Sequence, residues 1–403
     1  MSSTTTSRHE LLQTLKDLHE HLRVVKTTLD REDIKEAIDT SLHPNGRGDL
    51  PDSDVVRAAD QVIDQLKSID NVLEDGHKRL ADVIFAYVST KSLLSAVRLG
   101  VSGILHAKGP QTIVDLAKAC HASPKTLSQV LGLLIDNGIF SYGPQKGTIS
   151  NNHVSELLEP DHWTQWHQWV ETYGDIFYEI ARGIPDATKE LETRSPAGVV
   201  FNSDLRFPAL IEQKGWATQV HSTLGAGSVA QLPGMLQDYD WGQFTGLKIF
   251  DIGGGSGDLL AGLLRENQGL RGGILDVPDV ITRAKTAFHT PTGRFNDLSD
   301  RVAEGDLIAG NFFEAVPQSE VYTMKWTLHN WNDDDASRIL QNIRRSIISH
   351  PLSRLVVLDA VLQPGHSNRM SRYADVQMLM ATRSGERSDS EFRDLALRSG
   401  WKV

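Results

Sequence analysis

Cysteine is almost absent from this chain, which has one such residue, Cys120, among 403. A single cysteine excludes a disulfide within the chain, and this usage is typical of proteins of the reducing cytoplasm. Cys120 falls on an apolar helix face, which predicts a buried, inert thiol rather than a nucleophile. We therefore expect a cytoplasmic protein whose fold depends on its apolar core.

An excess of basic residues is also missing, because 41 Lys and Arg stand against 52 Asp and Glu and give a net charge of −11. This balance argues against broad binding to nucleic acids or anionic membranes. Residues 1–8 contain no apolar signal core, and no apolar run approaches the roughly 18 residues of a membrane span. No His/Cys cluster suggests a metal. We expect neither nucleic acid nor membrane as a partner, whereas a small organic substrate remains open.

Apolar residues recur at intervals of three and four in two parts of the segment 1–79, which predicts two amphipathic helices. The two stripes run from Leu11 to Val25 and from Val55 to Leu73, and a turn-rich linker at 43–51 separates them. Each stripe can pack on its own domain or serve as an arm for dimerisation. The chain as a homodimer is the prediction that follows from the second alternative.

Residues 80–155 show the pattern of a winged helix: helices, a short turn and a polar hairpin at 139–150. Such a module can bind DNA through its second helix, here 124–137. That helix offers Lys125 as its only cation and also carries Asp136. Because phosphate contacts dominate affinity for DNA, one lysine is inadequate, and DNA binding is disfavoured.

The remaining chain divides at about residue 239. Residues 156–238 predict helices rich in aromatic residues, some of which could wall an apolar pocket. From 239 to 403, buried strands at 247–251, 273–276, 321–325 and 354–359 alternate with helices. This alternation predicts a doubly wound, largely parallel sheet.

A glycine-rich loop, which follows the first of these strands, is the strongest signal for a ligand. Gly253, Gly255 and Gly257 allow a sharp turn and a close approach by a ligand. A dinucleotide site would need a glycine at position 258, where this chain has Asp258, and a carboxylate there would repel pyrophosphate. The cationic end of a ligand, such as an ammonium or a sulfonium, would suit the carboxylate of Asp258 better than pyrophosphate would. Asp276, at the end of the next strand, is placed to hold ribose hydroxyls.

Residues 239–401, which include this loop, resemble the plant- and fungal-type class I O-methyltransferases. The winged-helix segment resembles the N-terminal module of that family. The resemblance implies an α/β fold: a mainly helical N-terminal half with a winged-helix module, then a doubly wound, Rossmann-like domain that binds S-adenosylmethionine. It also implies that the winged helix builds the dimer and the substrate pocket rather than binding DNA.

The same resemblance implies a set of residues that bind S-adenosylmethionine. Gly253 and Gly255 would line its methionine part, and Asp276 would bind its ribose. Asn311 and Phe312 match a stretch near the adenine in which the family has aspartate in place of Asn311, and Asp306 is a rival for this contact. The remaining members of the predicted set are Asp251, Gly257 and Lys325.

Residues 325–331 match the family's Lys-Trp-x-Leu-His-Asp-Trp motif, so that the resemblance places His329 at the catalytic base. The chemistry needs such a residue, because a phenol with a pKa near 10 is a poor nucleophile at neutral pH until its proton is removed. By the same resemblance, Asp359 and Glu386 would orient the histidine. The predicted function is methyl transfer to a hydroxyl of a small aromatic or polyketide-like metabolite.

Some fungal relatives of this family bind the cofactor without transferring its methyl group, which gives an alternative function. In such a pericyclase or dehydratase, the sulfonium and Lys325 would polarise a substrate carbonyl electrostatically. The intact base assembly favours methyl transfer. A further expectation concerns residues 401–403, which read as the opening of a sixth strand.

Overall fold

The structure is a computed structural model, which describes residues 2–363, 365 and 368–403, with side chains from residue 7 onward. The chain divides into two units, one ending at Tyr87 and one running from Val88 to Val403. The predicted boundary at 79/80 lies a few residues before this division.

The first unit is helical. Its helices are α1 (Ser2–Leu29), α2 (Glu32–Ser41) and α3 (Ser53–Leu73), and α4 (Gly76–Arg98) continues beyond it. Asp52 caps α3 by accepting hydrogen bonds from the backbone amides of Asp54 and Val55. The two predicted stripes lie on α1 and α3, and their large apolar side chains are mostly exposed. Within this unit, the stripes therefore remain available to another surface.

Helix α4 corrects the expectation that no apolar run approaches the length of a membrane span. Among the described residues, it is the one helix long and apolar enough to cross a membrane by length and composition, and 17% of its most apolar window is buried. A core helix of a soluble protein passes the same test, so that this feature is weak evidence. Ser92, Leu94 and Ala96 on its second half are buried.

The predicted winged-helix module, 80–155, begins within α4 and continues after it. It contains α5 (Val101–Lys108), β1 (Gln111–Thr112), α6 (Ile113–Ala119), α7 (Pro124–Asp136), β2 (Ser141–Tyr142) and β3 (Thr148–Ser150). The strands form an antiparallel sheet in the order β1-β3-β2. Leu116, Leu127, Leu131 and Phe140 are buried in a common core, to which the buried thiol of Cys120 also belongs.

A helical segment comes next and contains the aromatic residues. Its helices are α8 (His153–Glu156), α9 (Trp166–Glu171), α10 (Phe177–Ala181), α11 (Ile184–Ala187), α12 (Pro196–Phe201), α13 (Phe207–Gln213) and α14 (Ala217–Gln237). A π-helical turn, Thr172–Ile176, joins α9 to α10. Such turns are rare and occur frequently at functional sites.

The C-terminal part is built on a five-stranded parallel sheet in the order β6-β5-β4-β7-β8. The strands are β4 (Lys248–Ile252), β5 (Arg271–Asp276), β6 (Leu307–Ala309), β7 (Val321–Lys325) and β8 (Arg354–Leu358), with the helices α15 (Asp258–Glu266), α16 (Pro278–His289) and α17 (Asp333–Ser346) between them. Buried apolar side chains form one core around α15 and α16 and another around α17. The remaining elements are β9 (Val361–Leu362), α18 (Arg369–Thr382), β10 (Arg387–Ser388) and α19 (Asp389–Arg398).

The predicted doubly wound fold is confirmed, and its four predicted strands correspond to β4, β5, β7 and β8. Strand β6 was not predicted, because it has only three residues. The expectation of a strand opening at 401–403 is wrong in this structure, where Trp401 instead lies against α17 and its indole donates to the carbonyl of Leu340.

Candidate active site

Because the five strands are parallel, the loops that follow them all lie at one edge of the sheet, which is where open α/β sheets bind ligands. The glycine loop follows β4, Asp276 ends β5, and Lys325 ends β7. Asp359 comes directly after β8. The topology therefore brings most of the predicted cofactor and base residues to a common edge.

Of Gly253, Gly255 and Gly257, only Gly255 faces open space. All three have positive φ, at 72° for Gly253, 59° for Gly255 and 91° for Gly257. A Cβ at Gly253 would collide with Thr327 and one at Gly257 with Phe288, whereas one at Gly255 would meet nothing within 4 Å. Gly253 and Gly257 thus permit close packing within the protein. A Cβ at Gly255 would lie in open space, which is compatible with the predicted cofactor site.

Asp276 fixes this loop. One of its carboxylate oxygens accepts from the backbone amide of Gly255 at 2.9 Å, and the other accepts from that of Val277 at 2.7 Å. Burial raises the pKa of Asp276, and the two backbone hydrogen bonds oppose this shift. Each carboxylate oxygen has a further lone pair, so that the group can hold the loop and still accept from a ribose hydroxyl.

Asp251 supports the loop from below. Its side chain is buried and accepts from the hydroxyl of Thr323 at 2.8 Å. Burial raises the pKa of Asp251 to about 6. A Cβ at Gly254 would collide with the Asp251 carboxyl, so that this side chain packs directly beneath the loop. Asp251 thus supports the loop, and its contact with the cofactor stays a prediction.

Asp258 does not offer a free carboxylate to a cationic ligand, in contrast to the expectation. Arg294 donates to both of its oxygens at 2.7 and 2.8 Å, and also to the hydroxyl of Ser256 at 2.8 Å. The Arg294 guanidinium also lies over the ring of Phe295. Because bidentate pairs of this kind have a defined geometry, Arg294 ties the C-terminal half of the loop to the segment that follows α16.

The two rivals for the adenine contact lie at opposite edges of the sheet. Asp306 precedes β6 and pairs with Lys248 at the start of β4, away from the glycine loop. Asn311 follows β6 at the same edge as Asp276, and its carbonyl oxygen accepts from the amide of Phe313. Phe312 beside it packs edge-on against Trp331. This placement does not support Asp306 and leaves Asn311 and Phe312 as candidates.

Lys325 is largely enclosed. Its ammonium lies 3.8 Å from the centroid of the neighbouring Trp326 ring, a cation–π contact. Burial lowers the pKa of Lys325, and the negative charges of Asp251, Asp258 and Asp359 oppose this shift. The lysine therefore places one positive charge between the loop and the base.

The three residues of the predicted base assembly are in mutual reach. His329 Nδ1 lies 2.8 Å from Oε1 of Glu386 and 3.9 Å from Oδ1 of Asp359. The other Asp359 oxygen accepts from the backbone amide of His329 at 3.2 Å. Because a carboxylate is an acceptor, we assign the proton to Nδ1, the tautomer in which Nε2 carries the lone pair. This is the arrangement that a general base requires.

The surroundings also tune the basicity of this imidazole. Burial lowers the pKa of His329, but the hydrogen bond to Glu386 and the charges of Asp359 and Glu386 outweigh it, so that the pKa is raised above 6.5. Burial likewise raises the pKa of Asp359. Oδ1 of Asp359 and Oε2 of Glu386 are buried acceptors without a hydrogen-bond partner in the described part of the chain. Their partial negative charge favours a proton on the imidazole.

The loop that carries His329 is held by backbone contacts that the sequence analysis missed. Trp326 has a positive φ of 52°, which is rare for a bulky residue. The side-chain amide of Asn330 donates to the Trp326 carbonyl at 3.0 Å, and the hydroxyl of Ser384 donates to the His329 carbonyl. Hydrogen bonds to backbone carbonyls leave no residue pattern, so that no sequence signal could have found them.

Aromatic side chains converge on this loop from the helical segment. Successive ring centroids of Trp166, Trp169, Tyr173 and Phe177 are separated by 5.4, 5.2 and 4.7 Å. A Cβ at Gly227 on α14 would meet both Trp169, at 2.4 Å, and Trp326, at 3.2 Å. Trp169 and Trp326, the tryptophan three residues before His329, therefore both lie close to Gly227.

Family models match the chain in two consecutive parts. An O-methyltransferase dimerisation domain matches residues 81–160, and an O-methyltransferase domain matches residues 163–402. The two ranges cover the predicted winged-helix module and the entire site.

Curated relatives match over the full length. The O-methyltransferase aclM of Aspergillus oryzae is 42% identical and covers 99% of this chain and 92% of the relative. The O-methyltransferase gliM of Aspergillus fumigatus is 36% identical and covers 100% and 93%, respectively. Among solved structures, the methyltransferase CalO1 of calicheamicin biosynthesis, in its SAH-bound form, superposes with a TM-score of 0.69 at 26% identity and covers 81% of this chain and 93% of that one.

Proposed function

The chain belongs to the S-adenosylmethionine-dependent O-methyltransferases of secondary metabolism, and we propose that it methylates a hydroxyl of a flat aromatic acceptor with His329 as general base. The observation that supports this role most directly is the 2.8 Å contact between His329 Nδ1 and Glu386.

In the proposed mechanism, S-adenosylmethionine supplies an electrophilic methyl group when it is bound. Gly255 and Asp276 would hold its amino-acid and ribose parts, and Asn311 and Phe312 would flank its adenine. Nε2 of His329 accepts the proton of the acceptor hydroxyl, which makes that oxygen nucleophilic. The positive charge that forms on the imidazole is stabilised by Glu386 and Asp359. General-base assistance of this kind is typically worth about 10²–10⁴-fold in rate.

A flat acceptor is supported by the row of rings between Trp166 and Phe177. Planar aromatic substrates stack on such surfaces, and tryptophan offers a large rigid contact area. Burial raises the pKa of Tyr173 to about 12, so that its phenol stays neutral beside the acceptor. Trp169 of this row and Trp326 of the base loop both lie close to Gly227. We place the acceptor ring against Trp169, with its hydroxyl towards His329.

The test incubates the enzyme with S-adenosylmethionine and a panel of naphthols and hydroxyquinones, and quantifies S-adenosylhomocysteine. We expect Trp169→Leu to raise the KM of the best phenol about tenfold, because stacking contributes about 1 kcal/mol or more. Trp163→Leu, outside the row of rings, is the matched control. Equal KM values for the two variants would contradict the stacking role.

The alternative of a non-methylating pericyclase has no observation that favours it over methyl transfer. The named relatives are O-methyltransferases, and the base assembly, which a pericyclase does not need, has all three members in contact. The Lys325 ammonium, which would polarise a substrate carbonyl in that alternative, lies over the ring of Trp326.

We also propose that the enzyme is a homodimer and acts in the cytoplasm, as the cysteine usage predicts. The dimerisation-domain match supports the first point, together with the exposed apolar side chains Val83, Ile84 and Phe85 on α4. Light scattering should give twice the chain mass of 44.6 kDa. Phe85→Asp should weaken the dimer, whereas Val114→Asp, at another exposed apolar position within the matched range, should not. A wild-type monomer at micromolar concentration would contradict the proposal.

A further inference from the structure

Arg387 is a buried cation beside the base assembly to which the mechanism above gives no role. Its side chain is 8% exposed. Burying a guanidinium is costly unless it is hydrogen-bonded, and here each of its three nitrogens has an acceptor. Nε donates to Asp333 at 3.0 Å, one terminal nitrogen donates to the carbonyl of Leu328 at 3.2 Å, and the other donates to that of Trp331 at 2.7 Å.

The two carbonyls lie on either side of His329. Leu328 directly precedes the histidine, and Trp331 follows it by two residues. The rigid guanidinium therefore binds the short 3₁₀ turn Leu328–Asn330 by hydrogen bonds at both of its ends. The third partner, Asp333, begins α17, so that the guanidinium also fixes the turn to the start of that helix.

The backbone of Arg387 connects the same side chain to the two carboxylates. Glu386 is its neighbour in sequence, and Arg387 pairs with Val361 where β10 runs parallel to β9. Val361 lies two residues after Asp359. Arg387 is thus linked to Glu386 by a peptide bond, to Asp359 through a strand pair, and to His329 through its guanidinium.

We propose that Arg387 is a positioning residue, which joins the three parts of the base assembly and holds the imidazole against Glu386. This inference rests on the proposed role of His329 as general base. Arg387 does not touch the acceptor. It acts by fixing the turn, because a displacement of about 1 Å in a catalytic group can cost about 10²-fold in rate.

The test follows the titration of His329 in the full-length protein by NMR with ¹³C-labelled histidine, assigned by the signal missing from His329→Ala. The key variant is Arg387→Lys, which retains the charge but replaces the planar fork with a compact ammonium. Glu386 and Asp359 are the charged groups that act on the imidazole, and both stay in place. We therefore expect the pKa of His329 to fall by about half a unit or more as its bond to Glu386 loosens.

Activity provides a second readout. In Arg387→Lys, kcat with the best phenol should fall about tenfold while the Kd of S-adenosylmethionine stays unchanged, because a base acts mainly in the transition state. Arg398→Ala is the matched control. Arg398 pairs with the other oxygen of Asp333, at 2.6 Å, and is half-exposed, so that its loss should move neither quantity.

Asp333→Asn covers the case in which Arg387→Lys does not fold, since Asp333 is itself half-exposed. It should lower the pKa of His329 and kcat in the same direction but by less. The positioning role would be overturned if the pKa of His329 keeps its wild-type value in both Arg387→Lys and Asp333→Asn. Equal shifts of this pKa in Asp333→Asn and Arg398→Ala would also overturn it. Failure of the proposed function is separate, because it would show as a wild-type enzyme that releases no S-adenosylhomocysteine from any phenol.

Discussion

The cofactor loop and the base loop lie at the same edge of one sheet but are built in different ways. The cofactor loop is mostly backbone: glycines with positive φ, a space kept open at Gly255, and Asp276 bound to a loop amide. The base loop depends on buried charged side chains, of which His329, Glu386 and Asp359 are in contact. The difference suggests that changes at the first loop alter binding, whereas changes at the second alter the chemical step.

The largest effect is expected at the base. His329→Ala should lower kcat by about 10²-fold or more, because the group that we propose to take the proton from the substrate hydroxyl is then missing. The Kd of S-adenosylmethionine should stay within about twofold, since the mutation does not touch the glycine loop. Steady-state kinetics and calorimetry measure the two quantities. If kcat and the affinity for S-adenosylmethionine fell by the same factor, the two loops would not separate chemistry from binding.

The opposite behaviour is expected at Gly255. Gly255→Ala should weaken S-adenosylmethionine binding by about tenfold or more, because its Cβ would enter the space kept open for the ligand. Gly246→Ala is a matched control: its φ is 89°, nothing lies within 4 Å of its Cβ, and it precedes β4 at the other edge. Both variants should lose about 1 kcal/mol of stability from backbone strain. Equal affinities in calorimetry would show that strain alone is responsible.

Glu386→Gln tests the base loop through the pH dependence of turnover. The reactive imidazole is neutral, so that wild-type turnover should fall as the pH drops through the raised pKa of His329. Removal of the Glu386 charge lowers that pKa, and the acid limb of the pH–rate profile should therefore move to lower pH. At its optimum, kcat should be about tenfold lower, because the imidazolium loses its main support. An acid limb at the wild-type position would contradict this account of the shift.

The smallest effect is expected at Arg294, a side chain that supports the cofactor loop. Arg294→Ala should raise the Kd of S-adenosylmethionine about threefold to tenfold with kcat little changed, as the loop loses its tie through Asp258. Arg265→Ala serves as the control, because Arg265 also lies over Phe295 but pairs with Asp297 and with the backbone carbonyl of Arg294, and so leaves the bond between Arg294 and Asp258 in place. If both variants bind equally well, Arg294 does not shape the site.

The fold could be predicted from the periodicity of strands and helices, whereas the contact of His329 with Asp359 and Glu386 was expected only from the resemblance to the family. The sequence could not show that Gly253 and Gly257 differ from Gly255. Only the structure shows that Thr327 and Phe288 fill the space beside Gly253 and Gly257. Asp306 looked equivalent to Asn311 until the strand direction of β6 placed them at opposite edges. Arg294 and Arg387 lie 36 and 54 residues from their carboxylate partners, distances over which a sequence pattern carries no pairing information.

The most direct test of the central claim compares two products formed from one acceptor. Wild-type enzyme, S-adenosylmethionine and the best phenol of the panel are incubated, and the methylated phenol and S-adenosylhomocysteine are quantified together by mass spectrometry. We predict one S-adenosylhomocysteine for each O-methylated product, with both lost together in His329→Ala. Conversion of the phenol without S-adenosylhomocysteine, or equal yields from wild type and His329→Ala, would contradict a methyl transfer that depends on this base.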